Sequence, residues 1–135
     1  MSIRSICLSR MVHLVIEVNR KNTSMQQTDV VLVLTNTPDE ATAKRFAQLF
    51  VEESLAACVN IGALQSSVYV WEGALQQASE IPLTIKTTWG QQQAVVERLV
   101  SLHPYTVPEV LVVPVIAGFE PYLNWVRQAT GSVQP

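Results

Sequence analysis

Two strand-to-helix transitions constrain what this chain can become. Residues 30–34 form a short continuous apolar run, the pattern of a strand buried on both faces, and they lead at once into Thr37-Pro38-Asp39-Glu40. Those four residues spell a capping box with proline at the first helical position, after which Ala43, Phe46, Ala47 and Phe50 recur at helical spacing. The same progression returns later in the chain. Ile81, Leu83 and Ile85 alternate with Pro82, Thr84 and Lys86 as a half-buried strand, and Thr88 with Gln91 then opens a second helix. Val95, Leu99 and Leu102 share one face of that helix before Pro104 stops it.

Between and after these units the pattern is mostly extended. Residues 56–61 and 67–71 read as strand around Gly62, residues 72–79, which include Gly73, as the hairpin turn, and residues 110–115 as a further strand. Gly118 opens a last helix in which Phe119, Tyr122, Leu123 and Val126 share a face, ending near Gly131. The order is βαββαβ with an additional C-terminal helix. Two helices separating strands by right-handed crossovers, with a hairpin in the middle, make an α+β, ferredoxin-like arrangement. Such a sheet leaves one face without helices. The hairpin residues Tyr69, Val70 and Trp71, together with Pro82 and Pro114 in strands that suit sheet edges, imply that exposed parts of the sheet are covered by other subunits.

Composition excludes several classes. With 135 residues, 48% apolar and 15% charged, the chain has enough apolar material for one domain's core and is not a disordered segment. A net charge of -2 and the lack of a basic stripe interleaved with aromatics argue against nucleic acid as a partner. No apolar run approaches the roughly 20 residues needed to cross a bilayer, so no membrane association is expected. Cys7 and Cys58 lie in unrelated contexts, making neither a disulfide framework nor a zinc knuckle, and a reducing cytoplasm is the default location. Arg4 and Arg10 precede a short apolar stretch at residues 11–16, but Glu17, Asn19, Arg20 and Lys21 break it without a small-residue cleavage site. Residues 1–28 are therefore expected to be a poorly ordered extension or to lie upstream of the true start, with Met25 favoured, although residues 12–18 carry enough β-branched side chains to pair as a strand. Residues 29–135 form the domain.

The segment His103-Pro104-Tyr105-Thr106-Val107-Pro108-Glu109 concentrates the chemistry: imidazole, phenol and carboxylate on one loop stiffened by two prolines. His103 has a structural explanation too, since an imidazole at a helix C-terminus can bond the last carbonyls. Cys58 in an Ala-Ala-Cys-Val strand reads first as a small inert hydrophobe. Tyr69 and Trp71 suit intersubunit core better than a stacking platform, with Trp71 and Glu72 carried as candidate ligand contacts on the hairpin. Glu72 and Glu80 flank the hairpin tip, where charge also protects an edge from aggregation. A thiol hydrolase built from Cys58, His103 and a carboxylate is disfavoured, because an apolar strand raises a thiol's pKa instead of lowering it. There is no phosphate-cradling glycine loop and no nucleophile elbow, so no enzyme is expected. A structural trimer that scaffolds another protein stands as an alternative.

Several blocks in order carry a resemblance: the apolar strand into Thr37-Pro38-Asp39-Glu40-Ala41, then Leu55-Ala56-Ala57-Cys58-Val59-Asn60-Ile61, Tyr69-Val70-Trp71-Glu72-Gly73, Ile85-Lys86-Thr87, His103-Pro104-Tyr105 with Pro108-Glu109, and Tyr122-Leu123-Asn124-Trp125. From Asp29 to about Gln128 the chain resembles the CutA family of divalent-cation tolerance proteins. The resemblance implies a ferredoxin-like fold shaped like PII signalling proteins, packed as a homotrimer, with a role in divalent-metal or copper tolerance. In some bacterial members a cysteine at the end of the first strand and a pair of histidines at the end of the second helix are proposed copper ligands. Here Thr35 and Leu102 stand at the strand position and before His103, which removes the thiol and one imidazole that copper favours. The candidate metal ligands are His103, Glu80 and Cys58, with divalent copper as the ion and no cofactor required. By the PII-like analogy, Glu80, Lys86, His103, Tyr105 and Glu109 are expected to line an intersubunit pocket for a metal ion or a small anionic ligand.

Overall fold

The computed structural model describes residues 24–131, and the expected strand at residues 12–18 lies outside them. In chain order the elements are β1 (Val30–Thr37), α1 (Glu40–Glu52), β2 (Cys58–Ile61), β3 (Gln65–Trp71), β4 (Ala74–Thr88), α2 (Trp89–Leu102), β5 (Val110–Pro114) and α3 (Glu120–Ala129). The main sheet runs β2-β4-β1-β5, every neighbouring pair antiparallel, and β3 pairs with the far half of β4. This is the ferredoxin-like order anticipated from the element pattern, with the second strand drawn out into an arm.

β1 shows why the helices choose one face. Val31, Val33, Thr35 and Thr37 are fully buried, whereas Leu32, Leu34 and Asn36 on the alternate face are half-buried, so the strand is not enclosed equally on both sides. Val33 joins Leu83 and Ile85 of β4 under Phe46 and Phe50 of α1 and Val95 and Leu99 of α2, which together form the main core. A second, smaller cluster of Val30, Leu123 and Val126 seats α3 beside Ala57 and Val115.

The starts of both helices differ from the capping boxes read in the sequence. Asp39, not Thr37, caps α1: its Oδ1 accepts the Thr42 backbone N–H at 2.7 Å, and that bond holds the Asp39 carboxyl below its usual pKa. The Thr37 hydroxyl donates to the Ile81 carbonyl at 2.9 Å and so ties β1 to β4. At α2, Thr88 is the cap, but the Gln91 amide reaches away to the Thr130 carbonyl at 3.1 Å, fastening α2 to the end of α3. Gln27, Thr28 and Asp29 are drawn into the same corner: Gly90 N–H donates to Gln27 O, Arg127 Nε to Thr28 O and Trp89 N–H to Asp29 O.

Two expectations about the hairpin are corrected. The turn is Glu72-Gly73 alone, both residues at positive φ, and not residues 72–79, because Trp71 already pairs with Ala74. Positive φ at both turn positions matches the strand twist, and the polar side chains of Gln76, Gln77 and Ser79 belong to a strand segment with little apolar burial. Pro82 also lies in a central strand and not at an edge, since β4 is flanked by β1 and β2. Its carbonyl accepts the Gly62 N–H at 2.9 Å, so the missing proline donor falls on the side where β2 gives way to β3 and the ladder is already interrupted. Gly62 is needed there: a Cβ would stand 2.6 Å from Pro82 Cγ.

Candidate functional site

α2 ends because residues before proline avoid helical geometry. His103 donates its N–H to Leu99 O and then adopts φ -68° and ψ 134°, turning the chain out at Pro104. The imidazole folds back into the structure and is only 8% exposed. Nε2 lies 2.8 Å from the Asn36 carbonyl oxygen, which can only accept, so Nε2 carries the proton; Nδ1 accepts the Tyr105 backbone N–H at 3.1 Å. Both nitrogens are thus engaged, and the ring sits between Phe46 and Tyr105, with centroids 5.9 and 4.8 Å away.

This latch aims Tyr105 at Glu80. Burial, reinforced by the Glu80 carboxylate and its hydrogen bond, pushes the phenol pKa up to about 12, so Tyr105 stays a neutral donor. Asn36 is the second organiser. Its Nδ2 donates to Glu109 Oε2 at 2.8 Å, its Oδ1 accepts from Gln65 Nε2 at 3.0 Å, and its carbonyl receives His103. One residue at the end of β1 therefore joins the loop at residues 103–109 to the β3–β4 arm.

Between the arm and this loop opens a cleft of about 780 Å³, walled by Tyr69, Trp71 and Glu80 on one side and by Asn36, Tyr105 and Glu109 on the other. Register explains the arm's contribution: Gln65 faces Glu80, Ser67 faces Ala78 and Tyr69 faces Gln76, which sets Ser67, Tyr69, Trp71 and Glu80 on one side of the ribbon.

Of the residues singled out from the sequence, Glu80, Tyr105, Glu109 and Trp71 come together here. His103 stands behind Tyr105 as a support. Glu72 occupies the arm's turn, and Cys58 and Lys86 pair across β2 and β4, with Lys86 Nζ 5.6 Å from the Tyr122 ring centre; none of these three lines the cleft. Among the described residues no three His, Cys, Asp or Glu side chains gather closely enough to hold a metal ion. Asn36 and Tyr69 are among the cleft residues that sequence reasoning did not assign to the site, as are Ser67, Val68 and Ala78. The polar ending of an otherwise apolar strand is the local signal for Asn36.

Comparison with known proteins agrees with this architecture. Residues 31–129 match the family model described as CutA1 divalent ion tolerance protein. The divalent-cation tolerance protein CutA of Citrobacter koseri is 46% identical over 99 residues, covering 73% of this chain and 86% of that protein. The solved structure of the Thermus thermophilus divalent cation tolerance protein superposes with a TM-score of 0.73 at 42% identity, over 76% of this chain and 99% of that one. That of the periplasmic divalent cation tolerance protein CutA from Archaeoglobus fulgidus superposes with a TM-score of 0.72 at 29% identity, over 75% and 98%. The family match runs from β1 to the end of α3, and the chain belongs to the CutA1 family of divalent-ion tolerance proteins.

Proposed function

We propose that this protein is a non-enzymatic, cytoplasmic, PII-like homotrimer that responds to divalent metal ions, copper first among them, and that the cleft is where a cation is received. The observation that carries this reading is the pair of carboxylates, Glu80 and Glu109, facing one cleft with no Lys or Arg among its lining residues. Carboxylate oxygens suit divalent cations, and Cu(II) accepts them. The candidate anion contact Lys86 lies elsewhere, so the cleft favours cations over the small anionic ligand that the sequence also allowed. His103 as a ligand would have to surrender a hydrogen bond that holds Tyr105. Glu80 and Glu109 are therefore the proposed donors, completed by groups from a second protomer, and Cys58 lies apart from them. No resident cofactor is required.

Assembly is supported by the arm's reverse face. Val70 and Leu75, which face one another across the ribbon, are 66 and 76% exposed, an apolar surface of the kind that subunit contact covers. The test is a calorimetric titration of metal-free protein with Cu(II), repeated on Glu109→Gln and His103→Ala. Saturable binding near micromolar affinity, weakened about tenfold by Glu109→Gln, is expected. His103→Ala should weaken binding together with thermal stability, as loss of a support does. Absence of saturable binding removes the metal reading, and abolition by His103→Ala with stability unchanged makes the imidazole a direct ligand.

A further inference from the structure

The cleft is larger than a metal ion needs and differently walled. A water molecule occupies about 30 Å³ of liquid, so 780 Å³ accommodates an organic molecule and not only a hydrated ion. Two kinds of group line it, and each side carries both: the carboxylates Glu80 and Glu109, and the rings of Tyr69, Trp71 and Tyr105. Among the described residues neither carboxylate is paired with a Lys or Arg. The described cations are all engaged elsewhere: Lys44 with Glu40, Arg98 with Glu53, Arg127 with Glu120, Lys86 over Tyr122 and Arg45 over Phe46. Glu80 has the Tyr105 hydroxyl as a hydrogen-bond partner, and Glu109 the Asn36 amide.

Each class of small ligand meets these walls differently. An anion is repelled by both carboxylates. A neutral molecule leaves them uncompensated, and desolvating them without a partner is costly. A bare divalent ion uses the oxygens but gains nothing specific from the indole and phenol surfaces beside them. An alkylammonium ion uses every wall: its N–H groups donate to carboxylate oxygens as charge-assisted hydrogen bonds, its positive end attracts the faces of Trp and Tyr, and its methylenes pack on the same rings.

We propose that the cleft between the β3–β4 arm and the loop at residues 103–109 binds a small alkylammonium ion. This deepens the reading of the cleft as a cation seat and rests on it. Tyr69 and Trp71 supply the aromatic surface, Glu109 is the exposed acceptor at the rim, and Glu80 is the buried acceptor that Tyr105 holds in place. Arm and loop then each supply charge and aromatic surface, the arm through Glu80, Tyr69 and Trp71 and the loop through Glu109 and Tyr105.

The test is a titration of the intact, isotopically labelled protein with n-butylammonium, 1-butanol and butyrate at constant ionic strength, following the Trp71 indole N–H resonance by NMR, with its assignment fixed by Trp71→Phe. Butylammonium is expected to move that resonance saturably, with 1-butanol weaker by about tenfold and butyrate without effect. Glu109→Gln should weaken butylammonium binding by about fivefold or more, with an unchanged melting temperature showing that the fold is intact. Equal response to butanol and butylammonium, or none to either, overturns the proposal. Cu(II) binding without butylammonium binding overturns this inference and keeps the metal reading. Butylammonium binding without Cu(II) binding keeps the cation seat and removes the metal from it.

Discussion

Thr35 offers the sharpest test of how this core is put together. It lies in the middle of β1, 1% exposed, facing the helices with Val33, and its hydroxyl finds no hydrogen-bond partner among the described residues. Two residues on, along the same face, the equally buried Thr37 hydroxyl donates to Ile81 O at 2.9 Å. Valine replaces a threonine hydroxyl by a methyl group of nearly the same size. At Thr35 the change removes an unpaired buried dipole, whose burial costs about 1–3 kcal/mol, so Thr35→Val should stabilise the protein by about 1–2 kcal/mol. At Thr37 the same change removes the hydroxyl's hydrogen bond to the Ile81 carbonyl, so Thr37→Val should destabilise by about 0.5–1.5 kcal/mol. The pair differ by chemistry alone, with strand, face and burial shared. Guanidinium unfolding of both variants beside the parent, at one fixed protein concentration because subunit association shifts the midpoint, reads the difference directly. Destabilisation by Thr35→Val comparable to that of Thr37→Val would refute the reasoning and show that the Thr35 hydroxyl is bonded.

Two further outcomes follow from the geometry. Tyr105 has its folded-state pKa raised from 10.0 to about 12, so its stabilising contribution is complete below pH 10 and is lost as pH rises from 10 through 12; tyrosinate absorbance should show one late-titrating phenol that Tyr105→Phe lacks, and that variant should lose less stability over the same window. Gly62→Ala places a methyl 2.6 Å from Pro82 Cγ at the junction of sheet and arm, and should destabilise by about 1–3 kcal/mol in thermal melts, whereas Gly73→Ala, which meets nothing within 4 Å, should cost less, through its φ of +77° alone.

What could be seen in the sequence was what depends on near neighbours. α1 and α2 were legible because Ala43, Phe46 and Phe50, and Val95 and Leu99, mark the buried faces at helical spacing. The first half of β4 was not, because residues 74–79 are an exposed or half-exposed ribbon without apolar alternation, so Gln76 and Gln77 looked like turn. Pro82 misled for a related reason: a proline is excluded from a central strand only where its donor is needed, and which side lacks a partner depends on where β2 stops. In the site, the loop at residues 103–109 announced itself by composition. Lys86 was grouped with it by the PII-like analogy and by its place on the polar side of an alternating strand. Six residues of extended chain carry Lys86 about 20 Å along β4, toward Cys58 and Tyr122. Asn36 is marked locally only as the polar end of an apolar strand, and its role depends on three contacts with distant segments.

β4 is one uninterrupted strand serving three partners, β1 and β2 through its second half and β3 through its first. Counting along it is therefore shared: a residue deleted between Ala74 and Glu80 cannot be absorbed by the sheet, whose register is locked by Leu83, Ile85 and Thr87 in the core. The loss would be expressed wholly in the arm, where a shift of one residue exchanges the two sides of a ribbon. Trp71 and Tyr69 would then point where Val68 and Val70 now do, giving a molecule with an intact core, an aliphatic cleft and an aromatic outer side. For this protein the spacing of the hairpin is as much a determinant of chemistry as the identity of any side chain on it, and length variation there should be tolerated by folding long before it is tolerated by function.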